Sequence, residues 1–270
     1  MRAPSRLAAV AALLVLVSRS FDAGSTATPT RFASYAELLA AVVHGARVDY
    51  QALADGRAGL DDIAGELAAV SSEAEQAMPP HDRMAFWINA YNLFTLRVIV
   101  DHYPIRGSWF SLAPRNSIRQ IDGVWTSLTW RAAGRSLTLD HIEHEILRPL
   151  FKEPRVHFAI NCASVGCPPL NREPYVAARL DAQLDEAARR YLASPSGLQI
   201  SGDKLKVSSI LKWYGEDFGT PRDTAVLAVI ERFGPPAAAA LAASGRAKLE
   251  FLDYDWSLND TASAPQEPLQ

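Results

Sequence analysis

The chain has 270 residues, net charge −3, and 49% apolar against 21% charged side chains. That balance excludes a disordered chain, a collagen-like repeat and a multi-span membrane protein. An isoelectric point near 6.1 lacks the basic footprint of a nucleic-acid binder. Two cysteines cannot build the disulfide scaffold of a small secreted domain, and a chain of this length needs none.

Arg2 and Arg6 precede an apolar run, residues 7–17, with no polar side chain in it. A basic start, a short apolar run and small residues after it predict a secretory signal over residues 1–25, cleaved after Ser25 or Ala27. The run is too short to span a bilayer, the competing reading being an uncleaved anchor. Losing residues 1–25 removes Arg2, Arg6, Arg19 and Asp22 and takes the charge from −3 to −5. The expectation is an exported protein, periplasmic or secreted, with no membrane span in the mature chain. In an oxidising compartment two nearby thiols tend to pair.

Residues 26–33 read as a flexible tail. Helix is expected from Ser34, an N-cap with Glu37 as its capping-box partner, and again over 59–70. Pro79 and Pro80 break the chain, and Asp82 caps a helix over 84–102 that is apolar all round, hence central to the core. Residues 105–137 mix aromatics with turn formers, with a hairpin at Ala133-Gly134. Helical spacing returns over 137–151, and 156–161 is a short strand candidate. A charged amphipathic helix is expected over 174–192, a hairpin over 198–207, helices over 208–218 and 222–233, and a last strand over 248–254. From Asn259 to residue 270 the chain is polar and expected to be disordered. With no repeat and no dividing linker, the prediction is a single α+β domain over 34–258, helix-rich, with a small, mainly antiparallel sheet.

Three features put polar groups where the pattern wants apolar ones. Asn89 and Asn92 share one face of the central helix, where a buried amide needs matched partners. They either tie loops to that helix or line a polar pocket, and one of them should reach Glu143, His144 or the backbone of the 161–167 loop. Glu143 falls near the middle of the inward face drawn by Leu139, Ile142, Ile146, Leu147 and Leu150, with His144 on its flank. It is either a structural anchor, to Arg97 or another arginine, or an acid in a cleft beside a histidine. The third feature is His157-x4-Cys162-x4-Cys167, open to three readings: a disulfide, a thiolate nucleophile at Cys162 activated by a histidine, or a zinc site. The spacing is no closed zinc pattern and no fourth ligand is evident, so no metal is expected. Nucleophile elbows, phosphate loops and dinucleotide fingerprints are absent from the sequence, so no cofactor is expected either. An aromatic-lined groove could draw on Trp109, Trp125 or Trp130.

The strings AFWINAYNLFTL (85–96), LTLDHIEHEILRP (137–149), RVHFAINCASVGCPPL (155–170), VSSILKWYGEDFG (207–219) and YDWSLND (254–260) together resemble the family called domain of unknown function 547. The resemblance implies that Trp87, Asn89, Tyr91, Asn92, Glu143, His144, His157, Asn161, Cys162, Cys167, Pro168, Trp213, Tyr214, Asp217 and Phe218 occupy its signature positions. It names no reaction. It favours one shared polar site built from the central helix, the Glu143 helix and the cysteine loop, with Tyr91, Asn92, His157 and Asn161 in binding roles.

The functional expectation is an exported thiol-dependent hydrolase or acyl-transferase. Cys162 is its nucleophile, His144 or His157 the base, Asn89 or Asn92 an orienting or oxyanion-stabilising amide, and Glu143 the group that fixes the histidine or a substrate amine. Its substrate would be small or peptide-like. The rival expectation is a non-catalytic exported binding module with a Cys162–Cys167 disulfide.

Overall fold

Residues 32–102 are laid around one apolar helix. The structure, a computed structural model, describes residues 32–263, so the expected signal and most of the two expected tails lie outside the described residues. Helix α1 (Ala33–Val42) starts one residue before Ser34, with Phe32 rather than a hydroxyl residue at its cap. Phe32 is buried against Tyr35, which sets where the chain enters the core. A two-stranded hairpin, β1 (Val43–His44) with β2 (Arg47–Val48), leads into α2 (Tyr50–Asp55) and α3 (Arg57–Ala69). The short α4 (Ser72–Gln76) carries the buried Glu75, whose Oε1 accepts hydrogen bonds at 2.6 Å from both Arg83 Nε and Trp87 Nε1.

The central helix α5 (Pro80–His102) starts on Pro80, whose missing N–H costs nothing in a first turn, and Asp82 follows inside that turn. From Met84 to Val100 every residue but Arg97 is buried. Arg97 ends in ion pairs with Asp61 and Asp101, so it is not the partner of Glu143. The hairpin expected at Ala133-Gly134 joins β3 (Trp130–Ala132) to β4 (Arg135–Leu137). Both turn residues have positive φ, 50° and 69°, the requirement of a two-residue type I′ turn.

The helix expected over 137–151 is wound differently. Thr138 caps α6 (Leu139–His141) by accepting the His141 N–H at 3.1 Å. The chain then runs on as a π-helix over Ile142–Phe151 with Pro149 inside it. Proline supplies no N–H for the α-helical ladder, and the wider winding accommodates the gap. The strand expected over 156–161 is instead a 3-10 helix, Pro154–Phe158. Pro154 presets the turn. The Glu153 carboxylate caps it at the Arg155 N–H (3.0 Å) and pairs with the Arg155 guanidinium, which also reaches Asp181 and Asp185. A short apolar run does not by itself choose between strand and helix, and here the cap decides.

A 3-10 turn, Ala177–Arg179, precedes α7 (Leu180–Leu192). Strands β5 (Leu198–Ser201) and β6 (Lys204–Val207) pair antiparallel. After α8 (Ile210–Trp213), a 3-10 turn (Gly215–Phe218), α9 (Arg222–Phe233) and α10 (Pro236–Ala243), β7 (Lys248–Phe251) joins β6 in parallel. The architecture is the expected helix-rich α+β domain with small sheets. Two apolar cores result. A large one surrounds α5, and a second lies among α7, α9, α10 and the three-stranded sheet.

The chain does not fray at Asn259. Asn259 and Asp260 are buried, and Tyr50 Oη and Tyr103 Oη donate to their side chains at 2.8 Å. The Val48 N–H donates to the Asn259 carbonyl at 2.9 Å. Polarity marked this segment as a tail, but its polar groups serve partners some 200 residues upstream in the chain.

Candidate functional site

The cysteine loop is shaped by one amide. Asn161 Oδ1 accepts the Ala163 N–H at 2.8 Å, and Asn161 Nδ2 donates to the Pro168 carbonyl at 2.7 Å. Between Cys162 and Ser164 the chain passes through Ala163 at φ 58°, a left-handed conformation that costs an alanine about 1–2 kcal/mol. Such strain persists only where surrounding contacts impose it. Those contacts include the segment before Leu258, where the Val165 and Gly166 N–H groups donate to the Ser257 and Asp255 carbonyls at 2.8 and 2.9 Å. A Cβ on Gly166 would meet the Asp255 backbone and the Tyr254 ring at 3.1 Å, so this approach needs glycine.

Both cysteines are free. The sulfur of the buried Cys167 accepts the Cys162 N–H at 2.8 Å, and its S–H donates to Cys162. Cys162 Sγ, Ser164 Oγ and Tyr254 Oη form a triangle with 3.2 Å edges. The Cys167 hydrogen bond first, then those of Ser164 and Tyr254, lower the Cys162 pKa against the opposing effect of burial. Burial pushes the Cys167 thiol up. The pair therefore splits into a thiolate-prone Cys162, part exposed, and a protonated Cys167 behind it.

A second network lies beside the thiol. Asp217 takes a bidentate pair from Arg148 at 2.6 and 2.8 Å and one bond from His157 Nε2 at 2.7 Å. Arg148, then His157, hold its carboxyl well below the usual carboxylate range. His157 is buried with its ring stacked on Tyr214, centroids 4.2 Å apart. Because Nε2 faces an ionised carboxylate it carries the hydrogen, leaving Nδ1 as the free nitrogen. His144 is in the opposite position. Arg148 Nη1 lies 2.8 Å from His144 Nδ1, and guanidinium only donates, so Nδ1 is spent as an acceptor and Nε2–H faces Asp140 at 3.3 Å. Glu143 is buried at 7% exposure and accepts from Tyr91 Oη at 3.2 Å and from the Tyr214 hydroxyl. Burial first, then the Glu143 charge, raises the pKa of both phenols, so both remain donors.

These groups line one cavity of about 390 Å³, where the two cores meet. Cys162, Cys167, Glu143, His144, His157 and Tyr91 all face it, and so do Asp140, Tyr214, Trp213, Tyr254, Trp256 and Trp125. Of the tryptophans proposed for a groove only Trp125 takes part. Trp109 is exposed under Arg115, and Trp130 stacks on Phe94 in the core. Asn89 and Asn92 do not line the cavity. Asn89 spends its amide on Tyr175, donating to the carbonyl at 2.8 Å and accepting the N–H at 2.9 Å. The expected catalytic amide at Asn89 is thus a backbone clamp, because both of its ends are consumed in the core. Asn92 donates to the Ala159 carbonyl at 3.0 Å and accepts the Asn161 N–H at 2.8 Å. That is the expected tie to the cysteine loop, made through the backbone and not through an oxyanion. Asn161 likewise shapes the loop rather than facing the cavity.

Sequence reasoning assigned no role to Tyr254, Trp256, Arg148 or Asp140. Tyr254 and Trp256 sat inside a family-like string. Arg148 and Asp140 follow from helical spacing about His144, one turn on either side, and that signal was open to use. Among the described residues no group of three or more His, Cys, Asp or Glu side chains is arranged to hold a metal ion, and no helix is long and apolar enough to cross a membrane.

Fold and site together define a helix-rich α+β protein with a perturbed thiol at the meeting of two cores. Residues 76–192 match the family described as protein of unknown function, DUF547. The match ends before Trp213 and Tyr254, which the fold brings onto the same cavity as Cys162 and Glu143, and before Asp217, which bonds to His157 on the wall of that cavity. No curated protein and no solved structure matches the chain.

Proposed function

We propose that this protein is a thiol-dependent hydrolase or acyl-transferase with Cys162 as nucleophile and His157, oriented by Asp217, as its acid–base partner. One observation carries the reading: a hydrogen-bonded, thiolate-prone sulfur shares a cavity with an imidazole whose Nε2 is fixed on a carboxylate. That is the division of roles in nucleophile–base–orienter sites, reached here without likeness of fold. Cys162 Sγ attacks an acyl carbonyl, and the carbon–sulfur bond forms as the carbon–nitrogen or carbon–oxygen bond breaks. The Cys162 thiol first passes its proton to His157 Nδ1, and the leaving group takes that proton from it. Water, or an acceptor nucleophile, then attacks the thioester, giving its proton to His157 and returning the thiolate. Tyr254 Oη and Ser164 Oγ both lie 3.2 Å from the sulfur, and because Ser164 donates to Tyr254 the Tyr254 hydroxyl is the donor left for the developing oxyanion. His144 is a poorer base because Arg148 occupies its acceptor nitrogen.

The test is alkylation of the reduced full chain by iodoacetamide near pH 6.5, read by peptide mass. Cys162 is expected to react well ahead of Cys167, and His157→Gln to slow acylation by an activated ester without lowering the melting temperature by more than a few degrees. Labelling of Cys162 no faster than an ordinary thiol overturns the reading.

The adjacency of the two sulfurs favours a second reading, a binding module in which they are joined. Residues 1–25 support export, and an oxidising destination would take two electrons and two protons from the pair. Thiol counting on protein recovered without reductant from the exported fraction separates the readings. Two free thiols favour the enzyme, whereas a quantitative disulfide resistant to mild reductant ends Cys162 as a standing nucleophile. A mature N-terminus after Ser25 or Ala27 in that fraction supports the export signal, and retention of residues 1–25 on the membrane refutes cleavage.

A further inference from the structure

The cavity walls differ in chemistry. One is a continuous aromatic surface: Trp213 and Tyr254 lie 4.9 Å apart, Tyr254 and Trp256 4.6 Å, and Trp125 and Trp256 6.1 Å between centroids. Trp213, 48% exposed, stands at its edge. The same cavity is lined by two carboxylates, Glu143 and Asp140. Neither is in ion-pair contact with a lysine or arginine among the described residues, although the Glu143 charge acts on Arg148 from further off. Glu143 is met by phenol hydroxyls, and Asp140 by a histidine whose acceptor nitrogen is already occupied. The nearest guanidinium, Arg148, is spent on Asp217, and no lysine or arginine lines the cavity. By contrast Glu75, a buried carboxylate elsewhere in the fold, has an arginine on it at 2.6 Å. The aromatic wall already takes a cation from outside, since Arg119 sits 5.0 Å over the Trp256 ring.

From this we infer that the cavity binds an organic cation, an ammonium group held between the aromatic wall and the Glu143 and Asp140 carboxylates. Indole and phenol faces attract a cation, and more strongly in a site shielded from water. A buried carboxylate without a charged partner is itself incomplete until a cation arrives. The inference rests on the proposed function in taking this cavity as the substrate site, and it narrows the substrate to an amide or ester with a positively charged nitrogen near the reacting carbonyl. An aromatic wall alone would also suit a neutral sugar face or an apolar chain. The two carboxylates decide for the cation.

The experiment titrates the full-length reduced protein with choline, with its neutral isostere 3,3-dimethylbutan-1-ol, and with the anion 3,3-dimethylbutyrate, following tryptophan fluorescence and calorimetry. Choline is expected to bind about 10-fold more tightly than the alcohol, and the anion more weakly than either. Asp140→Asn, at a half-exposed position that tolerates substitution, should reduce choline affinity several-fold and leave the alcohol unchanged. Glu143→Gln should do the same more strongly, and Trp213→Ala should weaken choline. Equal binding of choline and the alcohol, tighter binding of the anion, or no measurable binding of choline overturns the inference. Cys162→Ser keeps the ligand reading separate from the chemistry. Choline binding with an inert Cys162 would retain the ligand class and end the hydrolase. A reactive Cys162 without cation preference would do the reverse.

Discussion

Asn92→Leu tests whether the cysteine loop is positioned from the central helix. Leucine is close to asparagine in size but can neither donate nor accept. The substitution would strand the Ala159 carbonyl and the Asn161 N–H, which Asn92 meets at 3.0 and 2.8 Å in a fully buried setting. Each stranded group costs about 1–3 kcal/mol, about 2–6 kcal/mol for the two. Burying the leucine returns about 1.5–3 kcal/mol at most, which, taking low ends together and high ends together, leaves a net loss of about 0.5–3 kcal/mol. For a domain of this size that lowers the melting temperature by about 2–4 °C per kcal/mol. Urea unfolding and calorimetry measure the loss. Asn89→Leu is the control, because it strands the Tyr175 backbone in the same way but outside the loop from Asn161 to Pro168 that holds Cys162. Both variants should lose stability, and only Asn92→Leu should change the rate at which Cys162 is alkylated, since Asn161 templates the loop that holds it. A neutral or stabilised Asn92→Leu, or an Asn89→Leu that disturbs the thiol equally, would refute this account of the loop.

Three further outcomes follow from the site. Cys167→Ala removes the first of the donors to Cys162, so the pH profile of Cys162 alkylation should move upward, and an unmoved profile would show that Ser164 and Tyr254 suffice. Asp217 is depressed by Arg148 and His157, so its contribution is present above the unfolded carboxylate pKa of about 3.9 and is lost as pH falls through the lower folded value. Asp217→Asn should therefore cost about 1.5–3 kcal/mol at pH 7 and progressively less below about pH 4, and a gap that stays constant in acid would contradict the pairing. At Ala163, whose φ is 58°, glycine should lie within about 1 kcal/mol of wild type while valine costs about 1–2 kcal/mol more, and equal stabilities by denaturant unfolding would show that the loop does not hold that conformation.

Much of the core was legible in the residues alone. A helix without a polar face has to be central, and α5 is buried from Met84 to Val100 apart from Arg97. The apolar spacing around Glu143 turned that carboxylate inward, and it is 7% exposed. Two amides on an apolar helix had to find partners on other segments, and Asn92 finds the backbone of Asn161. These conclusions rest on periodicity and on the cost of an unmatched buried polar group, both of which operate within a few residues of chain or require only that some partner exist.

What the residues could not reveal is which partner. The residues alone favour His144 as the base with His157 as its alternative, and they do not show that Asp217, 60 positions on, holds the Nε2 of His157 while Arg148 occupies the acceptor nitrogen of His144. Tyr254 reaches Cys162 across 92 positions, and Asn259 and Asp260, where composition starts a tail, are buried and bonded to Tyr50 and Tyr103. The 156–161 run reads as a strand until Glu153 and Arg155 cap it into a 3-10 turn, and Pro149 turns an expected α-helix into a π-helix. Local sequence sets which groups need a partner, because burial and hydrogen-bonding capacity belong to the residue. Only the packing of distant segments decides who supplies it, because that choice depends on which surfaces the whole chain can bring together at once.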